Sequence, residues 1–163
     1  MSGVRLYECP IRPEWIDYNG HLRDAFYVLI VSAATDVLMD RIGLDAAYRA
    51  RTHCTLYTVE MHVHYLDEMK GSDTAQVDVR ILGVDHKRIH AAFDLRRAGV
   101  TAVAAVVELM LLHVRQGNAG AASAPFPPEV SAALARLQAD AGAEPAQLPG
   151  SRRMELRGHS PAP

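Results

Sequence analysis

The chain has 163 residues, of which 49% are hydrophobic, and this suits a single folded domain followed by a tail. Its net charge of −2 and pI near 6.4 argue against a general nucleic-acid-binding protein, which usually carries a basic face. The N-terminal residues form no apolar signal segment, and no apolar run approaches the ~18 residues of a membrane span. We therefore expect a cytoplasmic protein with no nucleic-acid or membrane partner, whose two cysteines, Cys9 and Cys54, stay reduced.

The N-terminal third predicts one strand and one long helix. Residues 4–11 favour a short strand that ends at prolines, and residues 13–21 are a turn-rich connector. Over residues 22–37, apolar side chains recur every three or four positions, which indicates a helix of about 20 residues. Residues 44–52 are irregular or form a second, short helix.

From residue 54 the hydrophobic period changes to two, which predicts strands. The stretches with this pattern are 54–66, 74–83, 88–97 and 101–114, and tight turns separate them. The last stretch, 101–114, has apolar residues at both odd and even positions, and these positions point to opposite faces of a strand. We therefore expect both of its faces to be buried, which favours an oligomer over a monomer.

The composition becomes rich in Ala, Gly, Pro and Ser after residue 116. We expect a folded domain over residues 1–116, an extension over residues 117–140 with a short helix that begins at Pro128, and a disordered tail over residues 141–163. This order of elements, one strand, a long helix and four further strands, buries its apolar residues best in an α+β fold. In that fold an antiparallel sheet of about five strands wraps around one central helix.

The segment Asp17-Tyr-Asn-Gly-His21 lies directly before the predicted helix. A helix start presents free backbone N–H groups and a partial positive charge, which suit the developing oxyanion of a carbonyl. Gly20 allows close backbone approach, Asn19 can cap the helix or hold a water molecule, and Asp17 can act as nucleophile or general base. The same residues also suit an ordinary capped helix, so spacing alone leaves both interpretations open.

The longer stretch Trp15-Ile-Asp-Tyr-Asn-Gly-His-Leu22 resembles the Asp-x-Asn-Gly-His signature of hotdog thioesterases of the 4-hydroxybenzoyl-CoA thioesterase-like superfamily. Within that superfamily the chain is most similar to the betainyl-CoA thioesterases of carnitine catabolism. The similarity runs over roughly residues 4–130 in the expected order. The other segments that carry it are Ala25–Val28, Leu56–Glu60, Tyr65–Glu68, Asp85–His90, Glu108–His113 and Ala124–Val130.

The resemblance implies a hotdog fold and a homodimer or homotetramer with sites at a dimer interface. It implies that Asp17 is the nucleophile or base, and that the backbone from Gly20 to Leu22 polarises the thioester carbonyl. It also implies that Glu60, on a central strand, comes from the partner subunit. Many relatives have Asn or Met-Asn after the His of the signature, where this chain has Leu22-Arg23-Asp24. Arg23 and Asp24 either lie harmlessly on the helix surface or alter the mouth of the site.

Betaine carries a quaternary ammonium group, which cannot donate a hydrogen bond and is typically bound by an aromatic cage. Aromatic residues cluster in the segments named above. We expect Trp15, Tyr18 and Tyr57 to form the cage and Tyr27 to contact the substrate, although core or interface positions would also explain them.

Several polar residues outside the signature are weaker candidates. Lys87 and Arg88 lie at a predicted hairpin and are candidates for binding the CoA phosphates, although a solvated turn explains them equally well. His62 and His64 share one face of a predicted strand, near Glu68. No third ligand has suitable spacing, so we expect neither a metal nor another cofactor.

We therefore predict a thioesterase for a short acyl-CoA, with betainyl-CoA as the expected substrate. Alternatives are a thioesterase for aromatic or fatty acyl-CoA, a non-catalytic acyl-CoA-binding hotdog protein, and a hotdog hydratase in which His21 and Asp17 act as a pair. The absence of a Gly-x-Ser-x-Gly elbow argues against a serine hydrolase. The predicted catalytic residues are Asp17, Asn19, Gly20, His21, Leu22 and Glu60.

Overall fold

The computed structural model describes residues 3–140, so the predicted tail over residues 141–163 lies outside the described residues. None of the helices in the described part has the length and apolar character that a membrane span requires. The strands are β1 (Val4–Pro10), β2 (Cys54–Tyr65), β3 (Thr74–Val84), β4 (Arg88–Arg97), β5 (Val103–Gly117) and β6 (Gly120–Ser123). The helices are α1 (Asp24–Arg41), α2 (Ala46–Thr52) and α3 (Pro128–Asp140), with a short 3-10 turn at Pro13–Trp15.

The strands form one antiparallel sheet in the order β1-β3-β4-β5-β2, and β6 pairs with the end of β5. The pairing of β4 with β5 ends at Leu112. Beyond that point β6 pairs with β5 on the side where β4 had been, since β2 remains paired with the other side of β5 as far as Arg115. The five long strands confirm the prediction. The sequence does not indicate β6, since Gly-Ala-Ala-Ser has neither β-branched nor aromatic residues.

The long helix α1 packs against one face of the sheet and forms the core with it. Its buried residues are Tyr27, Ile30, Val31, Ala34, Leu38 and Met39. Alternate residues of β3, such as Val77 and Val79, join Phe93 and Leu109 in the same hydrophobic cluster. The predicted α+β hotdog arrangement is therefore confirmed.

The residues after 116 complete this sheet and core. Helix α3 buries Val130, Leu134 and Leu137 in the cluster that α1 occupies. The imidazole of His113, only 1% exposed, ties the extension to β5, because its Nδ1 donates to the Ala124 carbonyl at 2.9 Å. Its Nε2 accepts from the hydroxyl of Tyr48 at 3.0 Å, so both ring nitrogens have partners.

Two expectations about the strands change. β2 is an edge of the sheet within one chain, so the prediction that Glu60 lies on a central strand is wrong for the single subunit. The expectation that both faces of β5 are buried holds only in part within one chain, because Leu109 and Leu111 are buried in the core whereas Met110 and Leu112 on the other face are only partly buried. The outer face of β5 therefore keeps apolar surface that the described part of one chain does not fully cover.

Candidate active site

The segment between β1 and α1 folds into a tight loop around the carboxylate of Asp17. Its Oδ1 accepts the backbone N–H of Asn19 at 2.8 Å and that of His21 at 3.0 Å. Gly20 donates its N–H to the Asp17 carbonyl at 3.1 Å and has φ +82°, in the left-handed region that favours glycine. The motif thus closes a turn on itself through Oδ1, and Oδ2 makes no hydrogen bond within residues 3–140.

The loop keeps Asp17 ionised. The His21 N–H is the main cause that holds the pKa of Asp17 below its usual value, and the Asn19 N–H adds to it. An ionised carboxylate with one free oxygen is able to take a proton from water or to attack a carbonyl carbon.

The candidate oxyanion donor in the structure lies further along the chain than the sequence predicts. Gly20 and His21 give their N–H groups to Asp17, and Leu22 donates to the Met69 carbonyl at 2.7 Å. All three N–H groups therefore have acceptors within the chain, and the prediction that the Gly20–Leu22 backbone polarises the thioester carbonyl finds no free donor there. Within residues 3–140, the first N–H beyond this loop that has no acceptor belongs to Asp24, the first residue of α1.

A pocket of about 360 Å³ opens beside this loop. It lies at the lower end of the ~300–1,000 Å³ range of ligand pockets. The rings of Tyr27 and Tyr65 form one corner, edge to face at 5.2 Å, and Tyr65 donates its O–H to the Asp24 carbonyl. Three carboxylates, two tyrosines and one histidine supply the polar lining, namely Asp24, Asp67, Glu68, Tyr27, Tyr65 and His21.

The three carboxylates differ in their side-chain partners. Asp67 pairs with Arg97, and Glu68 contacts Nε2 of His21 at 2.9 Å. The Asp24 carboxylate accepts the N–H of Ala25 at 2.8 Å but has no side-chain partner among the described residues. Asp24 is therefore the carboxylate of the pocket that no other side chain occupies.

Tyr27 is the buried polar side chain of this pocket. It is 4% exposed, and its hydroxyl oxygen accepts the N–H of Met69 at 3.2 Å. No acceptor for its O–H hydrogen exists within residues 3–140. Burial is the main cause that raises the pKa of Tyr27, and the carboxylates of Asp67 and Glu68 raise it further. The phenol therefore stays neutral at physiological pH and keeps a hydrogen that it can donate.

The structure separates the three aromatic residues expected to form a cage. Trp15 is buried and stacks on Phe26 at 5.4 Å. Tyr18 is 96% exposed, and Tyr57 lies on β2, where its hydroxyl accepts from the Gln116 amide. None of the three lines the pocket beside the Asp17 loop, whereas the predicted contact Tyr27 does so. Its partner Tyr65, at the end of β2, belongs to the aromatic cluster that the sequence indicates but was not among the residues predicted to bind the substrate.

Glu60 lies on the outer face of the sheet, opposite the face that α1 covers. It pairs with Nε2 of His62 at 3.1 Å, beside a second pair in which Glu108 meets Nε2 of His90 at 2.6 Å. These four residues line a separate pocket of about 200 Å³, so one chain does not bring Glu60 to Asp17. Residues 3–140 contain no group of three side chains placed to share a metal ion.

The basic hairpin offers one available cation. The carboxylate of Asp85 accepts both hairpin N–H groups and the Arg88 guanidinium, chiefly the Lys87 N–H, and these bonds lower the pKa of Asp85 to about 2. Arg88 is thereby committed to a structural pair. The ammonium group of Lys87 makes one hydrogen bond in the described residues, to the Ser123 hydroxyl at 3.3 Å, and has no acidic partner there.

Comparison with known proteins shows related sequences and folds. The chain is 47% identical over 140 residues to a betainyl-CoA thioesterase of Pseudomonas aeruginosa, which covers 85% of each chain. It is 42% identical to an L-carnitine dehydrogenase/betainyl-CoA thioesterase of Agrobacterium fabrum over 83% of this chain, but over only 27% of that longer protein.

Among solved structures, one from Pseudomonas putida superimposes with a TM-score of 0.83 at 42% identity over 97% of this chain and 99% of that one. A Staphylococcus aureus protein in complex with CoA has the same fold, with a TM-score of 0.83 at 24% identity over 96% of this chain and 98% of that one. The family model of the thioesterase-like superfamily matches residues 11–134. The chain therefore belongs to the thioesterase-like superfamily.

Proposed function

We propose that this chain hydrolyses betainyl-CoA to glycine betaine and CoA. The observation that carries the proposal is the loop that holds the carboxylate of Asp17 and borders, through His21 and Leu22, a pocket lined by tyrosines and carboxylates and by no lysine or arginine. Such a lining suits a small cationic acyl group and does not suit a long apolar one. The similarity to betainyl-CoA thioesterases, which includes a relative of nearly matching length, supports the same substrate.

The proposed reaction adds water across the thioester. The water oxygen bonds to the carbonyl carbon, the C–S bond breaks, and the products are the CoA thiol and a carboxylate. Oδ2 of Asp17 takes the proton from water, or bonds to the carbon itself and forms a mixed anhydride that water then cleaves. Both routes need the ionised Asp17 that the loop maintains.

Two donors on α1 are proposed to stabilise the oxyanion. The N–H of Asp24 and the O–H of Tyr27 both lack an acceptor in the described residues and both belong to pocket residues. Because both residues line the same pocket, the proposal places the two donors on one cavity. Donors already in place where charge develops are usually the largest single contribution to catalysis of this kind.

The assay is release of free thiol from betainyl-CoA, with benzoyl-CoA and palmitoyl-CoA in the same panel. We expect Asp17→Asn to lower turnover by about 10²–10⁴-fold. Asn keeps a side-chain oxygen that accepts the Asn19 and His21 N–H groups, so the loop retains its shape. Asp36→Asn, the same change at an exposed position of α1, should turn over like wild type. Near-normal turnover of Asp17→Asn would contradict the mechanism.

We further propose that β2 pairs with a second copy of the chain. β2 is a twelve-residue edge strand, and an edge presents unpaired N–H and C=O groups. Four large apolar residues lie exposed along this edge, each between 40% and 54%, and such a group is typical of an interaction surface; they are Tyr57, Val59 and Tyr65 on the strand and Leu66 after it. Because Tyr65 and Leu66 also line the pocket, a partner at this edge would complete the site.

A further inference from the structure

We propose that Asp24 is the residue that selects a positively charged acyl group, with Tyr27 and Tyr65 as the walls that hold it. This inference rests on the proposed function and names the origin of its specificity. The three residues meet at the pocket beside the Asp17 loop, where Asp24 begins α1 and Tyr65 donates its O–H to the Asp24 carbonyl at 3.1 Å.

The side-chain partners of the pocket carboxylates point to Asp24. Of the three lining carboxylates, Asp67 is paired with Arg97, and Glu68 is in contact with the His21 imidazole. Asp24 has only the Ala25 N–H and no side-chain partner within residues 3–140. A cation that enters the pocket can therefore approach Asp24 without displacing another side chain.

The position of Asp24 suits the shape of a betainyl group. The charged nitrogen is two bonds of about 1.5 Å from the carbonyl carbon, so the two atoms are only about 2.5 Å apart. A residue that recognises the cation must therefore lie next to the groups that bind the carbonyl oxygen. Asp24 offers both, because its own N–H lacks an acceptor and its carboxylate stays at the helix start beside Ala25.

The aromatic corner suits the methyl groups that surround the charge. A quaternary ammonium offers no N–H, so its attraction to protein comes from ring faces and from carboxylates. Tyr27 and Tyr65 stand edge to face with ring centres 5.2 Å apart, and burial and then the Asp24 carboxylate raise the pKa of Tyr65. The rings and the carboxylate thus act on the same small volume.

The same carboxylate disfavours neutral acyl groups. A negative charge beside the oxyanion donor repels the oxyanion as it forms, unless the substrate brings a cation between them. Specificity then arises from repulsion of the wrong substrate as well as from attraction of the right one. Removal of the Asp24 charge should therefore change the two substrate classes in opposite directions.

The experiment compares betainyl-CoA with tert-butylacetyl-CoA, in which carbon replaces the charged nitrogen and the shape is kept. For Asp24→Asn we expect kcat/KM to fall at least about tenfold for betainyl-CoA and to rise for tert-butylacetyl-CoA, as for loss of a charge pair in a half-exposed pocket. Asp24→Glu should restore part of the preference for betainyl-CoA. Asp36→Asn, at an exposed position of the same helix, should change neither substrate.

An equal fall in kcat/KM of Asp24→Asn on both substrates would assign Asp24 a general structural or catalytic role and overturn the inference. Unchanged kcat/KM values on both substrates would also overturn it. Wild-type enzyme that hydrolyses both substrates equally well would also overturn it, while leaving thioester hydrolysis in place.

Binding separates failure of the inference from failure of the proposed function. In the Asp17→Asn background, calorimetry should show tighter binding of betainyl-CoA than of tert-butylacetyl-CoA, and the added Asp24→Asn change should abolish that difference. If wild type releases no thiol from either compound, the proposed hydrolysis fails, and this binding preference alone then decides the inference. No preference in either background would refute it.

Discussion

Replacement of Tyr27 by Phe tests whether its hydroxyl takes part in the reaction. The side chain is 4% exposed, and its oxygen is the acceptor for the N–H of Met69, a residue with no exposed surface. Phe fills the same space but leaves that N–H without a partner, which costs about 1–3 kcal/mol of folding stability. For a chain of this size, each kcal/mol lowers the melting temperature by roughly 2–4 °C.

The expected effect on turnover is larger than the effect on stability. If the Tyr27 O–H donates to the oxyanion, its removal should lower kcat by about 10²–10³-fold with little change in KM, since the bond forms mainly in the transition state. The measurement combines thermal unfolding with thiol release from betainyl-CoA for each variant.

Tyr48 provides a matched control. It is 6% exposed, and its hydroxyl makes one buried hydrogen bond, to Nε2 of His113 at 3.0 Å. Tyr48→Phe should therefore cost a similar ~1–3 kcal/mol by leaving that nitrogen unpaired, with kcat unchanged. If Tyr27→Phe turns over within about threefold of Tyr48→Phe, the Tyr27 hydroxyl is not an oxyanion donor and the reasoning is refuted. If Tyr27→Phe loses no stability, the Met69 N–H has another acceptor.

Three further outcomes follow from the geometry. Because the pKa of Asp17 is lowered, kcat/KM and the stability that Asp17 contributes should both persist as the pH falls to the ordinary pKa of an aspartate and be lost only below it. A fall in kcat/KM that begins at higher pH and that His21→Gln removes would contradict Asp17 as the base. Val59→Lys places a charge at the exposed edge of β2, so it should convert the protein to a monomer and lower turnover. Light scattering measures the mass of the assembly, and an unchanged mass would contradict pairing through β2. Lys87→Gln should raise KM for betainyl-CoA with kcat unchanged, because its ammonium group is available to a CoA phosphate. Arg88→Gln should raise KM less, because Asp85 already binds that guanidinium. Equal increases in KM would contradict a phosphate contact by Lys87.

Local pattern in the sequence is sufficient to predict most of the fold. The period of α1 and the alternation in the strands both arise from burial on one face, and burial leaves a repeat in the residue types. The four residues of β6 carry no such repeat, because they pair only where β4 has ended. The buried ion pairs of Asp94 with Arg80 and of Asp78 with Arg96 are equally invisible in sequence, since each joins neighbouring strands.

The candidate site was harder to predict, because it depends on which groups are already occupied. The motif correctly indicates a special turn at Asp17, but spacing does not reveal that Leu22 gives its N–H to Met69, 47 residues further on. That long-range bond moves the free donor from the predicted Gly20–Leu22 backbone to Asp24. The aromatic residues show the same limit, since stacking on Phe26 removes Trp15 from the pocket and the end of β2 brings Tyr65 into it.

The position of Asp24 has a physical consequence for the choice of substrate. Asp24 follows the signature segment by three residues, and within residues 3–140 it is the carboxylate of the pocket without a side-chain partner. A carboxylate beside an oxyanion donor is unfavourable for a neutral thioester, so it is compatible with catalysis only when the substrate supplies its own positive charge close to the carbonyl. In betainyl-CoA that charge is two bonds from the reacting carbon, where it offsets Asp24 and the forming oxyanion together. Selection for the cation would then act on the transition state and appear in kcat/KM more strongly than in binding.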